Sequence, residues 1–184
     1  VHLCLGGAAP NLASEDRLAC ALLNTLLGGN MSSRLFQEIR EKRGLAYAVY
    51  SFLSAYVDTG VLGVYLGTDP RWVNEALGTV HREIGRILDG EIADSEMAMM
   101  REHLTGSILL GAESVDTRMM RLAKNEYVFG RYVSYDELID RLNRVRVEDL
   151  IRVARNCFRD GEVTTAALGP VAPGDLDAAS LRFP

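Results

Sequence analysis

The sequence predicts an α+β domain: a mostly antiparallel sheet covered by helices, in the order β-α-α-β-β, then a helical run, then β. Three observations predict it. A strand-like stretch at the start is bounded by Gly6-Gly7. Two runs rich in Tyr, Val and Leu, about 46–56 and 60–68, flank the turn signal Asp58-Thr59-Gly60 and read as a hairpin. Five consecutive helical patterns then separate that hairpin from a last strand. Strands and helices come in runs rather than in strict alternation, the pattern of helices packed on one antiparallel sheet.

Taken in order, Val1 to Leu5 alternates as a strand does. Ser14-Glu15-Asp16 opens a helix, with Ser14 as its N-cap and acids in the first turn. Leu18, Leu22, Leu23, Leu26 and Leu27 form one face of it, and Gly28-Gly29 stops it. Ser32 or Ser33 caps a second helix, reaching about Glu41, and Gly44 breaks the chain again. After the hairpin, Asp69-Pro70 starts a long helix over about 71–88, because Pro suits a first helical turn. Helical patterns follow at about 94–112, 115–129, 134–143 and 147–157, with Asp94, Ser134 and Asp136 as caps. Gly161 to Leu168 is the last strand. The expected organisation is a single domain over 1–170 and a loosely held tail over 171–184.

With 48% hydrophobic and 24% charged residues, the 184-residue chain has the apolar material to close a core. A net charge of -5 speaks against nucleic acid as an obligate partner, since phosphate binding needs clustered Lys and Arg. No apolar run reaches the roughly 18 residues that a membrane span requires. The opening at Val1, without Met and inside a strand pattern, suggests a piece of something longer. Cys4, Cys20 and Cys157 are odd in number, widely spaced and set among apolar residues, which predicts buried thiols and a reducing, cytoplasmic setting.

Most catalytic patterns are absent from the sequence. His2, His81 and His103 are scattered. Met99-Met100-Arg101-Glu102-His103 comes close to the inverted zinc motif H-x-x-E-H, but Met stands where the first His is needed, and a thioether does not replace imidazole for zinc. There is no G-x-S-x-G elbow. Gly28-Gly29 follows a helix rather than a strand and lacks the Lys-Ser or Lys-Thr of a phosphate loop. What remains is the constellation Arg34, Glu38, Arg40, Glu41, Lys42, Arg43 and Tyr47. It reads in two ways. One is a solvated, charged helix end. The other is functional: Arg40 ends a helix and Tyr47 begins a strand, so both can project to one mouth across the Gly44 turn. There the guanidinium offers a fork of donors to peptide carbonyls or carboxylates, and the hydroxyl can support an oxyanion.

The segments Leu27-Gly28-Gly29, Ser32 to Tyr47, Tyr56 to Gly60 and Leu66 to Pro70 carry a resemblance. Weaker agreement runs through Gly106 to Leu110, Glu113-Ser114, Val147 to Leu150 and Ala167 to Pro170. On these residues the chain resembles the C-terminal half-domain of the pitrilysin, insulin-degrading and mitochondrial-processing-peptidase family of zinc endopeptidases. The resemblance implies two similar α+β halves around a chamber. The N-terminal half holds zinc through H-x-x-E-H and a further Glu, and the C-terminal half supplies an Arg and a Tyr seven residues apart. Arg40 and Tyr47 match that pair in type and spacing. Where the zinc helix would align, near Gly28-Gly29, this chain has Cys20, Leu23 and Asn24, which make no zinc set.

The function implied is that of the non-metal C-terminal half of a zinc endopeptidase acting on unfolded peptides, with Tyr47 catalytic, Arg40 substrate-binding and no metal ligand. Zinc is expected in an N-terminal half outside this sequence, and that half and a peptide are the expected partners. No cofactor, nucleic acid or membrane is expected for this chain. The isolated chain is expected to be inactive and to self-associate as a twofold dimer. The rival reading is a non-catalytic partner or structural subunit, an interaction module.

Overall fold

The computed structural model describes residues 1–177 and Arg182. Among the described residues four antiparallel strands form one sheet in the order β2-β3-β1-β4: β1 His2–Ala8, β2 Ala46–Ala55, β3 Gly60–Thr68 and β4 Thr164–Leu168. The expected α+β order holds, and each expected helix is present at nearly its expected place. These are α1 Arg17–Leu27, α2 Val73–Leu88, α3 Asp94–Gly111, α4 Val115–Phe129, α5 Tyr135–Arg144 and α6 Val147–Cys157. The second predicted helix is different in kind. Phe36–Glu41 winds as a π-helix, with the Lys42 amide reaching back to the Gln37 carbonyl (2.9 Å). Bonds of that span are rare and occur mostly as single turns, frequently at functional sites.

Several caps differ from expectation. Helix α1 starts at Arg17, not at Glu15, because the Ser14 hydroxyl accepts from the Asp16 amide (3.1 Å) and closes a turn before the helix. Neither Ser32 nor Ser33 caps the π-helix: the Ser33 hydroxyl is spent donating to the Asn30 carbonyl (2.5 Å). The N-cap positions of α3 and α5 are Ala93 and Ser134, with Asp94 and Asp136 inside the first turns, where carboxylates suit the helix dipole.

One face of the sheet carries Leu3, Leu5, Val49, Leu62, Val64 and Leu66, all buried. Against it pack Leu22, Leu23 and Leu26 of α1, Leu77, Val80 and Ile84 of α2, and Leu150, Val153 and Ala154 of α6. Cys20 and Cys157 are buried between α1 and α6, while Cys4, on the other face of β1, is only partly covered. The end of α6 lies close against the end of β1. A side chain on Gly7 would place its Cβ 1.9 Å from the carbonyl oxygen of Cys157.

Residues 171–177 of the expected tail fold a short turn, Pro173–Asp175, beside α2. There Asn74 donates to the Asp175 carbonyl (2.8 Å) and accepts from the Asp177 amide (3.0 Å). The rest of that tail, apart from Arg182, lies outside the described residues.

Candidate functional site

The site begins with Arg34, at the head of the π-helix. The sequence reading groups it with solvated charges; the structure buries it. Leu35 and Ile39, fully buried, pull this segment onto the core and carry Arg34 under with them. Its guanidinium meets the Glu96 carboxylate through two bonds of 2.8 Å and donates to the Glu91 carbonyl, so the π-helix is pinned to the start of α3. A planar fork matched to a carboxylate is the strong form of such a contact.

Burial pushes the Glu96 carboxyl up, but the bonds from Arg34 and the Ala93 amide outweigh it and hold the group below its ordinary value. The folded state therefore gains stability from ionised Glu96 above the unfolded glutamate range, about 4.3. That gain is lost as pH falls through the lower folded value. Arg34→Ala leaves the half-buried Glu96 without its partner. It should cost about 2 kcal/mol near neutral pH, less than a fully buried pair because Glu96 is partly solvated. The loss should shrink as acid protonates Glu96. Urea melts of both proteins from neutral pH to below pH 4 check this, and an equal difference at every pH contradicts it.

Pinned in this way, the π-helix presents Arg40. Gly44, at φ +63°, makes the left-handed turn that reverses the chain into β2. A helix end at Arg40 and a strand start at Tyr47 let both project to one mouth across the Gly44 turn, and the structure brings them together. The Arg40 guanidinium lies 5.5 Å from the centroid of the Tyr47 ring and 4.9 Å from that of Phe36. Its nearest acid, Glu41, is 3.9 Å away, too far to occupy its donors. Glu38, by contrast, is bound by Lys42 (2.6 Å), which draws its carboxyl below the ordinary value.

Tyr47 owes its direction to a feature that alternation does not reveal. Ala46 pairs with Thr68 and Ala48 with Gly67, so Tyr47 is an extra residue in β2, a β-bulge. Val49 and Ser51 point into the core; strict alternation would send Tyr47 inward with them. The bulge flips it, and Tyr47 stands 87% exposed beside Arg40. A cleft of about 500 Å³ opens next to its ring.

A second feature, unannounced by the sequence pattern, lies at the other end of β2. Helix α4 stands off the body over a groove of about 680 Å³, lined by Leu18, Leu53, Leu104, Ile108, Met120 and Phe129. Polar contacts tether it: Arg121 donates to the Val133 carbonyl (2.7 Å), and Arg17 lies over the Phe129 ring (4.6 Å). Around the α3–α4 connection Leu109, Leu110, Val115, Met119 and Leu122 are all exposed. Val115, Met119 and Leu122 keep helical spacing on α4, and periodicity alone does not tell such an exposed stripe from one that faces the core.

The donors present do not suit zinc. On α1, Cys20 is buried against Cys157, which raises its thiol pKa, and Leu23 and Asn24 add no ligand set. Glu102 and His103 lie exposed on α3. Among the described residues, no three His, Cys, Asp or Glu side chains come together as a metal site.

Comparison with known proteins finds relatives over most of the chain. The family described as the peptidase M16 inactive domain matches residues 1–104. A Bacillus subtilis protein named as an uncharacterized zinc protease is 38% identical over 159 residues, covering 86% of this chain. The chain spans 39% of that relative's length. A protease from Helicobacter pylori superposes with a TM-score of 0.79 at 25% identity, over 89% of this chain and 39% of its own. A chain of complex III2 from Candida albicans shares the fold at a TM-score of 0.78 and 14% identity, over 90% of this chain and 42% of its own.

Proposed function

Because the chain belongs to the peptidase M16 family as its inactive, C-terminal half-domain, we propose that it completes the active site of a zinc endopeptidase whose metal sits in a catalytic N-terminal half. The observation that carries this reading is the bulge that turns Tyr47 outward beside Arg40. Arg40 grips a carbonyl of an unfolded peptide, and the Tyr47 hydroxyl donates to oxygen that gains charge during cleavage. A purely structural half would give Tyr47 no reason to stand exposed on a bulge. The test is complementation. The chain alone should retain no stoichiometric zinc after dialysis and should cut no peptide, and adding the N-terminal half should yield cleavage. One tightly held zinc per isolated chain, or cleavage unaffected by leaving this chain out, would defeat the proposal. The free cysteines suit a reducing compartment, and we place the protein in the cytoplasm on that ground.

The exposed apolar residues around the α3–α4 connection support a second part of the proposal: this face meets the N-terminal half. Without that half the chain should pair with itself, a twofold dimer being the simplest arrangement. Sedimentation velocity checks this. Leu110→Glu together with Met119→Glu should return the chain to a monomer, whereas a wild-type chain that stays monomeric at high concentration contradicts the assignment.

A further inference from the structure

The cleft beside Tyr47 has its own construction. On the outer face of the sheet, Gly67 of β3 lies between His2 of β1 and Ala48 of β2. A Cβ on Gly67 would touch only the Tyr65 hydroxyl, at 3.4 Å, so the missing side chain leaves a hollow with a floor of small residues. Rings form the walls: Tyr47, Tyr65, His2 and Trp72. They are braced. Tyr65 stacks on Tyr50 with centroids 4.9 Å apart, and its hydroxyl is 2.6 Å from His2 Nδ1. The acid at the rim, Asp69, is occupied by Arg71 at 2.9 and 3.2 Å, so the hollow offers ring faces and hydroxyls rather than an unpaired carboxylate. Arg40 stands outside the lining.

We infer that this hollow is a specificity subsite that accepts an aromatic side chain of the bound peptide. The inference rests on the reading that peptide backbone is held at Arg40 and Tyr47. The Tyr47 ring is a wall of the hollow, so a side chain close to the gripped carbonyl is within reach of it. An aromatic ring gains stacking contacts against the walls that an aliphatic chain does not, which is worth about three- to tenfold in affinity. A cationic side chain finds no unpaired carboxylate there.

Trp72 is the only tryptophan in the sequence and lines the hollow, so its emission reports occupancy. The experiment titrates the chain with capped pentapeptides identical except for Phe, Leu, Lys or Ala at the central position. The Phe peptide should shift Trp72 emission and bind about three- to tenfold more tightly than the Leu peptide, with Lys and Ala weaker. Gly67→Val fills the hollow with a side chain that strands favour and should abolish that order without weakening the Ala peptide. His2→Ala, at an exposed position, should reduce it and guards against a Gly67 variant that fails to fold. Arg40→Ala should weaken all four peptides alike and keep the order. Equal affinities for Phe and Ala, or no Trp72 response at millimolar peptide, overturn the subsite. If the Phe preference survives while Arg40→Ala changes nothing, the subsite stands and the Arg40 grip is what fails.

Discussion

Tyr47→Phe should lower kcat of the reconstituted enzyme about ten- to a hundredfold while leaving KM nearly unchanged. In the role proposed above the hydroxyl acts on charge that develops only during the reaction, so its loss falls on the chemical step. The expected loss is below the largest known for such donors, because Tyr47 is 87% exposed and works at a solvated mouth where electrostatic contacts are weaker. Arg40→Ala should raise KM and lower kcat/KM together, since a grip on the peptide operates in ground and transition states alike. Neither change should move the melting temperature by more than a degree or two, given how little either side chain buries. Steady-state kinetics with parallel thermal melts decides. Unchanged kcat and kcat/KM in Tyr47→Phe would remove Tyr47 from the chemistry, and a large fall in melting temperature would mean that the residue is structural.

The second large effect is on the fold. Gly7→Ala should cost about 3 kcal/mol or more and lower the melting temperature by roughly 6–12 °C. The new Cβ would lie 1.9 Å from a backbone carbonyl oxygen and 3.1 Å from its carbon, atoms that belong to the end of α6 and cannot rotate aside as a side chain would. Relief requires either the sheet or α6 to move, and both carry core residues. Gly85→Ala is the contrast. It lies in α2 with nothing within 4 Å of its new Cβ, so it should stabilise by about 0.5–1 kcal/mol through helix propensity. Urea unfolding measures both. A loss under about 1 kcal/mol in Gly7→Ala would mean that the layers are looser than the packing indicates.

The elements most legible in the sequence are those whose signal is periodic and repeated over many residues. The hairpin around Asp58-Thr59-Gly60 and the helices over 94–111, 115–129 and 147–157 lie within a residue or so of where their patterns put them. The Arg40–Tyr47 encounter was also legible, because a helix end, a glycine reversal and a strand start leave few other arrangements. What escaped depends on single residues. The bulge at Tyr47 is one residue long and leaves no trace in alternation. The π-helical turn uses the same residue types as an α-helix and is dictated by where Leu35, Ile39 and Arg34 must be buried. Arg34 looks like its solvated neighbours until its acid, 62 positions away in Glu96, is in place. The late start of α1 follows from one Ser14 hydroxyl choosing a turn over a helix cap.

The bulge makes the residue at position 47 independent of the scaffold. Val49 and Ser51 keep Leu66 and Val64 opposite them whatever residue occupies position 47, and that residue buries almost nothing. Selection for folding is therefore blind to it. A descendant chain with Phe or Leu there would express, fold and melt like its parent, and only a kinetic measurement would tell them apart. On the role proposed for Tyr47, an active half-domain and a bystander lie one neutral substitution from each other, and drift between the two meets no valley of misfolded intermediates.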